Sequence, residues 1–328
     1  MDNQRPLISI LTPTWNRVNY LDRVWEGLNS QTYKHIEWIV SDDGSTDGTD
    51  VKLAELCAKS MFPVTLIKAS VHIGKARMDN EAIAQARGEF IVWNDSDDYF
   101  LPQAIESLVK AWNSIPEYDR KNYAGITALC ADWRGVISTA LPKEGIFDIT
   151  WNDLREKFKV DGDMLYFSRA DLIKKYKFPE VDFLVPEGFI WTSIGKSKKV
   201  RLLPVALMMK EYGAVNAISF SGKMKYSRGR AHALAESVRN LKSYPKALFV
   251  KFWRVTTFVR YCVHGDLRAA EAVELWNKNT SKFVLFSVLP IAFLLVIKDL
   301  LQRKVHKTHV EFEKAKKTCR ISIFKTDK

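Results

Sequence analysis

At 328 residues, 47% of them hydrophobic and 12% aromatic, the chain can fold around a sizeable core, which excludes a disordered polypeptide. Its net charge of +12 is uneven: residues 1–220 carry 27 Lys/Arg against 30 Asp/Glu, and residues 221–328 carry 23 against 8. The basic excess therefore sits in the last third alone and points to an anionic partner for that part, although a solvated basic surface would have the same composition. Cys57, Cys130, Cys262 and Cys319 show no metal-ligand spacing, and the polar Met1–Pro6 does not resemble a signal peptide, so a reducing cytoplasm is expected.

In chain order, Leu7–Thr12 reads as a buried strand, followed by a turn from Pro13 to Arg17 and an amphipathic helix from about Tyr20 to Ser30. Ile36–Val40 reads as a second strand, ended by the turn-rich Ser41-Asp42-Asp43-Gly44-Ser45. A helix over Gly48 to Ser60, a strand at Val64–Ile67, a helix over Lys75–Ala86 and a strand at Glu89–Trp93 follow. This alternation predicts an α/β fold, a doubly wound, mainly parallel sheet with ligands beyond the carboxyl ends of its strands. The polar clusters Thr12–Arg17, Ser41–Asp47 and Asn94–Asp98 would then meet on one rim. Residues 101–220 mix α and β without a repeat. A composition shift near residue 220 opens a helical, basic C-terminal extension that ends in a charged tail after Ile297.

Asp95-Ser96-Asp97-Asp98 directly follows a strand. Three carboxylates so close repel one another unless a cation or hydrogen-bond donors neutralise them. A strand-end set of this kind suits Mg²⁺ or Mn²⁺ held by one or two carboxylates plus phosphate oxygens, but a solvated acidic turn before a helix starting at Pro102 has the same pattern. Asp42-Asp43-Gly44-Ser45-Thr46-Asp47-Gly48 allows close backbone approach to a ligand and offers a carboxylate to a base or ribose; it also reads as a turn with a helix cap.

Together these segments carry a resemblance. Ile8-Ser9-Ile10-Leu11-Thr12-Pro13-Thr14-Trp15-Asn16-Arg17 resembles the opening strand and loop of family-2 glycosyltransferases of the GT-A fold. Trp38 to Asp47 resembles their nucleotide-binding turn. Gly74-Lys75-Ala76-Arg77 with Asn80, then Ala86 to Ile91, is similar to the segment before their metal motif, and Asp95-Ser96-Asp97-Asp98 matches the DxD signature itself. Four ordered matches span residues 7–102. The resemblance implies a metal-dependent transferase with Mn²⁺ or Mg²⁺ as cofactor, moving a sugar from a nucleotide-sugar donor, a UDP-sugar by the reading of Asp43, with inversion. Residues 1–100 would form the nucleotide-sugar-binding half and 101–220 the acceptor-binding half. It implies that Asp43 contacts the base beside the backbone of Thr12, Pro13 and Thr14, and that Asp95 and Ser96 face the ribose or diphosphate. Asp97 would hold the metal, with Asp98 able to share it, and Arg77 would lie near the nucleotide.

In the family a carboxylate of a later Glu-Asp pair deprotonates the acceptor hydroxyl. Phe183 to Trp191 fits that region, but Gly188 stands where the Asp often lies, so Glu187 is the carboxylate left for the base; Asp161 and Asp163 are the other candidates. Glu187 also reads as a helix N-terminal carboxylate. Lys223, Lys225, Arg228 and Arg230 lie where family members close over the donor diphosphate.

Beyond residue 221 the pattern predicts a membrane-associated region. Leu248, Phe252, Val255, Val259 and Cys262 share one helix face, which suits either a membrane interface or a core. Phe283–Ile297 is an apolar run of fifteen residues broken by Pro290, short of the about 20 that a spanning helix needs. The expected partners are a nucleotide-sugar donor, a saccharide or lipid-linked acceptor and an anionic membrane surface, with no nucleic acid. The expected setting is the inner face of the cell membrane, in bacterial surface-polysaccharide synthesis. A non-catalytic nucleotide-sugar-binding scaffold is the alternative reading.

Overall fold

The computed structural model describes residues 5–136, 145–156, 163–211, 224–239, 247–277, 282–302 and 308–326. The first half alternates as the sequence predicts: β1 (Ile8–Thr14), α1 (Leu21–Asn29), β2 (Ile36–Asp42), α2 (Thr49–Lys59), β3 (Val64–Ala69), α3 (Lys75–Gln85) and β4 (Phe90–Trp93). The short β5 (Tyr99–Phe100) and α4 (Ala104–Asn113) follow, then the second half of the sheet. That half comprises β6 (Tyr123–Asp132), β7 (Gly135–Val136), β8 (Phe147–Thr150), α5 (Trp151–Glu156), β9 (Met164–Arg169), α6 (Ala170–Ile173), α7 (Gly188–Ile194) and β10 (Lys199–Met209).

The strands join one sheet in the order β11-β3-β2-β1-β4-β9-β6-β10-β5, where β11 is Ile321–Thr326. Strands β3, β2, β1 and β4 run parallel, as do β6 and β10, while β9 is antiparallel to both β4 and β6. Strands β1, β2 and β4 read as continuous apolar runs because both faces of the sheet are covered. Leu21, Val24 and Leu28 of α1, Leu53 and Leu56 of α2, and Ile105 and Leu108 of α4 pack on one face. Met78 and Ala82 of α3, Leu154 of α5, Ile173 of α6 and Trp191 of α7 pack on the other.

The helices α8 (Ser227–Arg239), α9 (Ala247–His264), α10 (Ala269–Asn277), α11 (Lys282–Ser287) and α12 (Leu289–Leu301) build a third core, with Ala231, Ala235, Val255, Phe258, Val259, Cys262, Trp276 and Val288 buried in it. The α9 face predicted for core or membrane therefore packs inward through Val255, Val259 and Cys262. The run Phe283–Ile297 divides at Val288 between α11 and α12, with Pro290 in the first turn of α12 where no intrahelical donor is lost. No described helix is long and apolar enough to cross a membrane.

The end of the chain is not a charged tail. Helix α13 (Thr308–Thr318) seats the fully buried Phe312 in the core on the α3 side of the sheet, and β11 pairs antiparallel with all of β3, Ile321 opposite Ala69 and Thr326 opposite Val64. An unpaired β3 would present a row of open backbone groups, and β11 covers it. The α13–β11 arm thus stabilises the first half of the sheet from far along the sequence. Phe312→Ala should cost about 3–5 kcal/mol in urea unfolding, the range for emptying a buried aromatic site; a loss under about 1 kcal/mol would show that the arm is not part of that core.

Candidate active site

The register of the parallel strands gathers the predicted polar clusters on one rim. Thr14 at the end of β1 pairs with Asp42 at the end of β2, and Leu11 pairs with Trp93 at the end of β4. The Asp43 N–H then donates to Thr14 O at 2.9 Å and the Asn94 N–H to Leu11 O at 2.9 Å, so both acidic turns leave the sheet beside one another. In the first turn, Asp42 accepts the Ser45 N–H and hydroxyl, and Asp47 accepts the N–H groups of Val18 and Thr49, so these two carboxylates shape the loop. Asp43 is buried and accepts the backbone N–H groups of Ile73 at 2.6 Å and Gly74 at 2.7 Å. Gly44 has φ +70°, and a Cβ there would lie 2.4 Å from the carbonyl carbon of Val71, so the Asp43 turn and the 71–74 loop can meet only through glycine.

In the second turn the charges interlock. Lys75, at the start of α3, reaches Glu187 at 2.8 Å, Asp79 at 3.0 Å and Asp95 at 3.6 Å. Lys210, just past β10, reaches Asp95 at 3.4 Å and forms a short bond to Asp98, whose other oxygen accepts the Glu211 N–H at 3.3 Å. Arg17 lies 3.5 Å from Asp97, and Arg23 donates to the Asp97 carbonyl at 2.7 Å. The Asp95 side chain is 32% exposed, that of Asp97 19% and that of Asp98 3%, so Asp95 and Asp97 face the rim and Asp98 lies beneath it.

Burial acts to raise Asp79, Asp95, Asp97 and Asp98, and the outcome depends on the nearest cation. For Asp95 the ammonium groups of Lys75 and Lys210 outweigh burial and hold the carboxyl below its ordinary range. Burial and the charge of Asp95 leave Asp97 raised. Burial pushes Asp98 up to about 7 and Asp79 up to about 6, against the pull of Lys210 and Lys75 respectively. Burial opposes charge on both lysines too, but the surrounding carboxylates win and hold them protonated well above the ordinary range.

Glu187 stands immediately before α7 and joins the cluster through Lys75. Asp163 is exposed at the approach to β9, and its charge acts on Lys210. Asp161 and Lys223 lie outside the described residues. Ser96 is buried under the loop. Arg77 turns away from the acidic cluster to Glu180 at 3.0 Å and Glu81 at 2.6 Å, and with Asn80 it ties α3 to the 178–180 segment. Lys225 carries the Arg230 side chain on its carbonyl, and Arg228 pairs with Glu271 at 3.6 Å. Sequence reasoning missed Arg17, Lys75 and Lys210 as partners of the carboxylates. The signals were Lys75 beside Gly74 and a lone lysine ending the apolar run Leu202–Met209.

Among the described residues no group of three His, Cys, Asp or Glu side chains is disposed to hold a metal. What the rim offers is one or two hard carboxylates, Asp97 and Asp95, the set that Mg²⁺ or Mn²⁺ uses when phosphate oxygens complete its shell. Asp98 has both oxygens engaged within the protein.

Residues 9–119 match the model for glycosyl transferase family 2. A GalNAc(5)-diNAcBac-PP-undecaprenol beta-1,3-glucosyltransferase from Campylobacter jejuni is 27% identical over 198 residues, 59% of this chain and 61% of that one. The putative teichuronic acid biosynthesis glycosyltransferase TuaG of Bacillus subtilis is 31% identical over 110 residues, 34% of this chain and 43% of its own. The chain thus spans less than two thirds of the length of these curated relatives. Among solved structures, S. aureus TarS 1–349 with UDP-GlcNAc superposes with a TM-score of 0.57 at 18% identity, covering 95% of this chain and 90% of that one. The mannosyltransferase PcManGT from Pyrobaculum calidifontis with GDP-Man and Mn²⁺ gives 0.53 at 16% identity, covering 96% and 87%. At these identities the likeness is one of fold, and the fold is GT-A.

The raised Asp79 has a consequence for pH. With a folded value of about 6 against the ordinary 3.8, its contribution to stability is complete below about pH 3.8 and is lost as pH rises through about 6. Between pH 4 and pH 7, Asp79→Asn should therefore gain on the parent protein by about 2–3 kcal/mol in urea unfolding. A difference between the two proteins that stays constant over that range would show that Asp79 is ionised throughout.

Proposed function

We propose that this chain, whose residues 9–119 match the glycosyl transferase family 2 model, transfers a sugar from a UDP-linked donor to a hydroxyl of a saccharide or lipid-linked acceptor in surface-polysaccharide synthesis, with inversion. The observation that carries this reading is the juxtaposition, on one strand-end rim, of the Asp43 turn with the partly exposed carboxylates of Asp95 and Asp97. A base at the Asp43 end would bring a diphosphate toward Asp95 and Asp97, along the backbone of Thr12 to Thr14. In this reading Asp97 holds Mn²⁺ or Mg²⁺ and Asp98 anchors Lys210. Bound there, the ion would neutralise charge on the departing nucleoside diphosphate. Lys75 and Lys210 stand beside Asp95 to add fixed positive charge at the same place.

Glu187 is the base on this reading. The Lys75 ammonium, 2.8 Å from Glu187 and 3.6 Å from Asp95, ties the acceptor-side carboxylate to the donor-side one. Asp163, whose charge acts on Lys210, is the rival. Nucleoside-diphosphate release from a panel of donors, with acceptor and Mn²⁺ present, tests the whole reading. UDP-sugars should be the active donors, Asp97→Ala should abolish release, and Glu187→Gln should reduce turnover by about 10²–10⁴-fold while donor binding survives. Tight UDP binding without turnover on any donor would favour the scaffold reading. Full activity of Asp97→Ala would remove the metal assignment, and normal turnover of Glu187→Gln beside a dead Asp163→Asn would move the base to Asp163.

We place the protein on the inner membrane face, where a lipid-linked acceptor would lie. Helix α12 is apolar on two sides. Ala292 packs in the helical core and Val296 is buried, Arg260 and His264 of α9 hold the buried Asp299, and Phe293, Leu294, Ile297 and Leu301 are exposed. The positive excess of residues 221–328 favours anionic lipid as the cover for that outer face. Sedimentation with phosphatidylglycerol vesicles should carry the full chain down, and the double substitution Phe293→Ser with Leu294→Ser should leave most of it in the supernatant. Equal sedimentation of both proteins would exclude this face as the docking surface.

A further inference from the structure

The nucleotide end of the rim contains an aromatic stack. Trp15 lies on His72 with ring centroids 3.9 Å apart and planes 14° apart, and His72 lies on Phe183 at 4.7 Å and 3°. The imidazole is thus sandwiched, with its Nδ1 2.8 Å from an Asp43 carboxylate oxygen.

The Phe183 wall and the Asp43 end of this sandwich are fixed. Phe183 meets Phe312 of α13 edge to face at 5.6 Å, and Gly74 crosses so close that a Cβ there would lie 2.3 Å from the Phe183 Cα. Asp43 is fixed through its own N–H and through the N–H groups of Ile73 and Gly74. The His72 side chain, by contrast, is 30% exposed, and rotation about its own side-chain bonds is the movement that would clear the slot.

A flat nitrogen heterocycle, stacked on both faces with a ring nitrogen directed at a carboxylate, is also what a nucleobase would present at this place. We propose that His72 occupies the nucleobase slot and that the base of the donor binds by displacing it, so that this side chain sets the protein's affinity for nucleotide. The inference rests on the reading of the Asp43 turn as the nucleotide end of the site. Its physical basis is competition: apparent affinity falls in proportion to the fraction of molecules whose slot is open. If the imidazole fills the slot in about nine molecules of ten, removing it tightens nucleotide binding by about tenfold. Removing Trp15 takes away a stacking surface from base and imidazole alike and should weaken binding.

Calorimetric titration of the full chain with UDP and Mn²⁺ tests this on the parent protein, His72→Ala and Trp15→Ala, each first matched to the parent by circular dichroism and thermal melting. His72→Ala should bind UDP about tenfold more tightly and Trp15→Ala more weakly. Binding that is unchanged or weaker in His72→Ala overturns the displacement, because the ring then either lies outside the slot or contacts the nucleotide directly. The two readings fail separately. Tight UDP binding by the parent with no gain in His72→Ala sinks only this inference, whereas no UDP binding by the parent or by His72→Ala sinks the nucleotide site with it. Binding by His72→Ala alone is the strongest form of the expected result.

Discussion

Carboxylates packed at the end of a buried strand hold together only if positive charge is built in with them, and this constraint organises the molecule. Asp79, Asp95, Asp97, Asp98 and Glu187 meet around Lys75, Lys210 and Arg17. Lys75 comes from the parallel half of the sheet and Lys210 from the end of β10, on the far side of β9 and β6. Each lysine is worth little as a surface pair. Buried among carboxylates, each becomes a tie whose removal strands a charge, a loss of about 3–5 kcal/mol for a buried pair broken on one side. The two halves are therefore joined at the site by the same charges that a donor diphosphate would meet. A cluster with more carboxylates than cations keeps residual negative charge at the rim, which is where a divalent ion would be drawn.

The aromatic end of the rim depends on a different tie. Phe183 takes its position from Gly74 on one side and from Phe312 on the other, so the last helix of the chain helps to set the width of the slot that His72 fills. Strand β11 holds that helix by pairing along β3. The basic region beyond residue 220 thus does two things. Helices α8 to α12 form a core of their own with one apolar outer face, and α13 with β11 returns to complete the first half of the sheet.

Much of the fold was legible in the sequence because β1, β2 and β4 are apolar runs buried on both faces, separated by helices of ordinary length. The acidic turns at their ends were legible too, since Asp-Asp-Gly and Asp-Ser-Asp-Asp are unusual directly after such strands. The partners were not. Lys75 and Lys210 are 135 residues apart in the chain, and no local spacing shows that β10 returns beside β6 to bring them to one carboxylate. Arg77, beside Lys75 in the motif, looked equally suited to a nucleotide, but helical geometry turns it toward Glu81 four residues on, and Glu180 completes the pair. Strand β11 was missed because Ile321-Ser322-Ile323-Phe324 is short and set among lysines, the composition of a protected edge as much as of a tail. The α9 face could be read as core or membrane, and only the packing of α8 and α12 against it decides for core.

The central claim is that the rim between Asp43 and Asp97 holds a nucleoside diphosphate with a divalent ion at the carboxylate end. Anomalous diffraction from a crystal of the protein grown with UDP and Mn²⁺ tests it most directly. The account predicts one manganese peak bonded to Asp97 and to diphosphate oxygens, with the uracil against Trp15 and Asp43. A manganese bound elsewhere, or a nucleotide whose diphosphate lies away from Asp95 and Asp97, would contradict it.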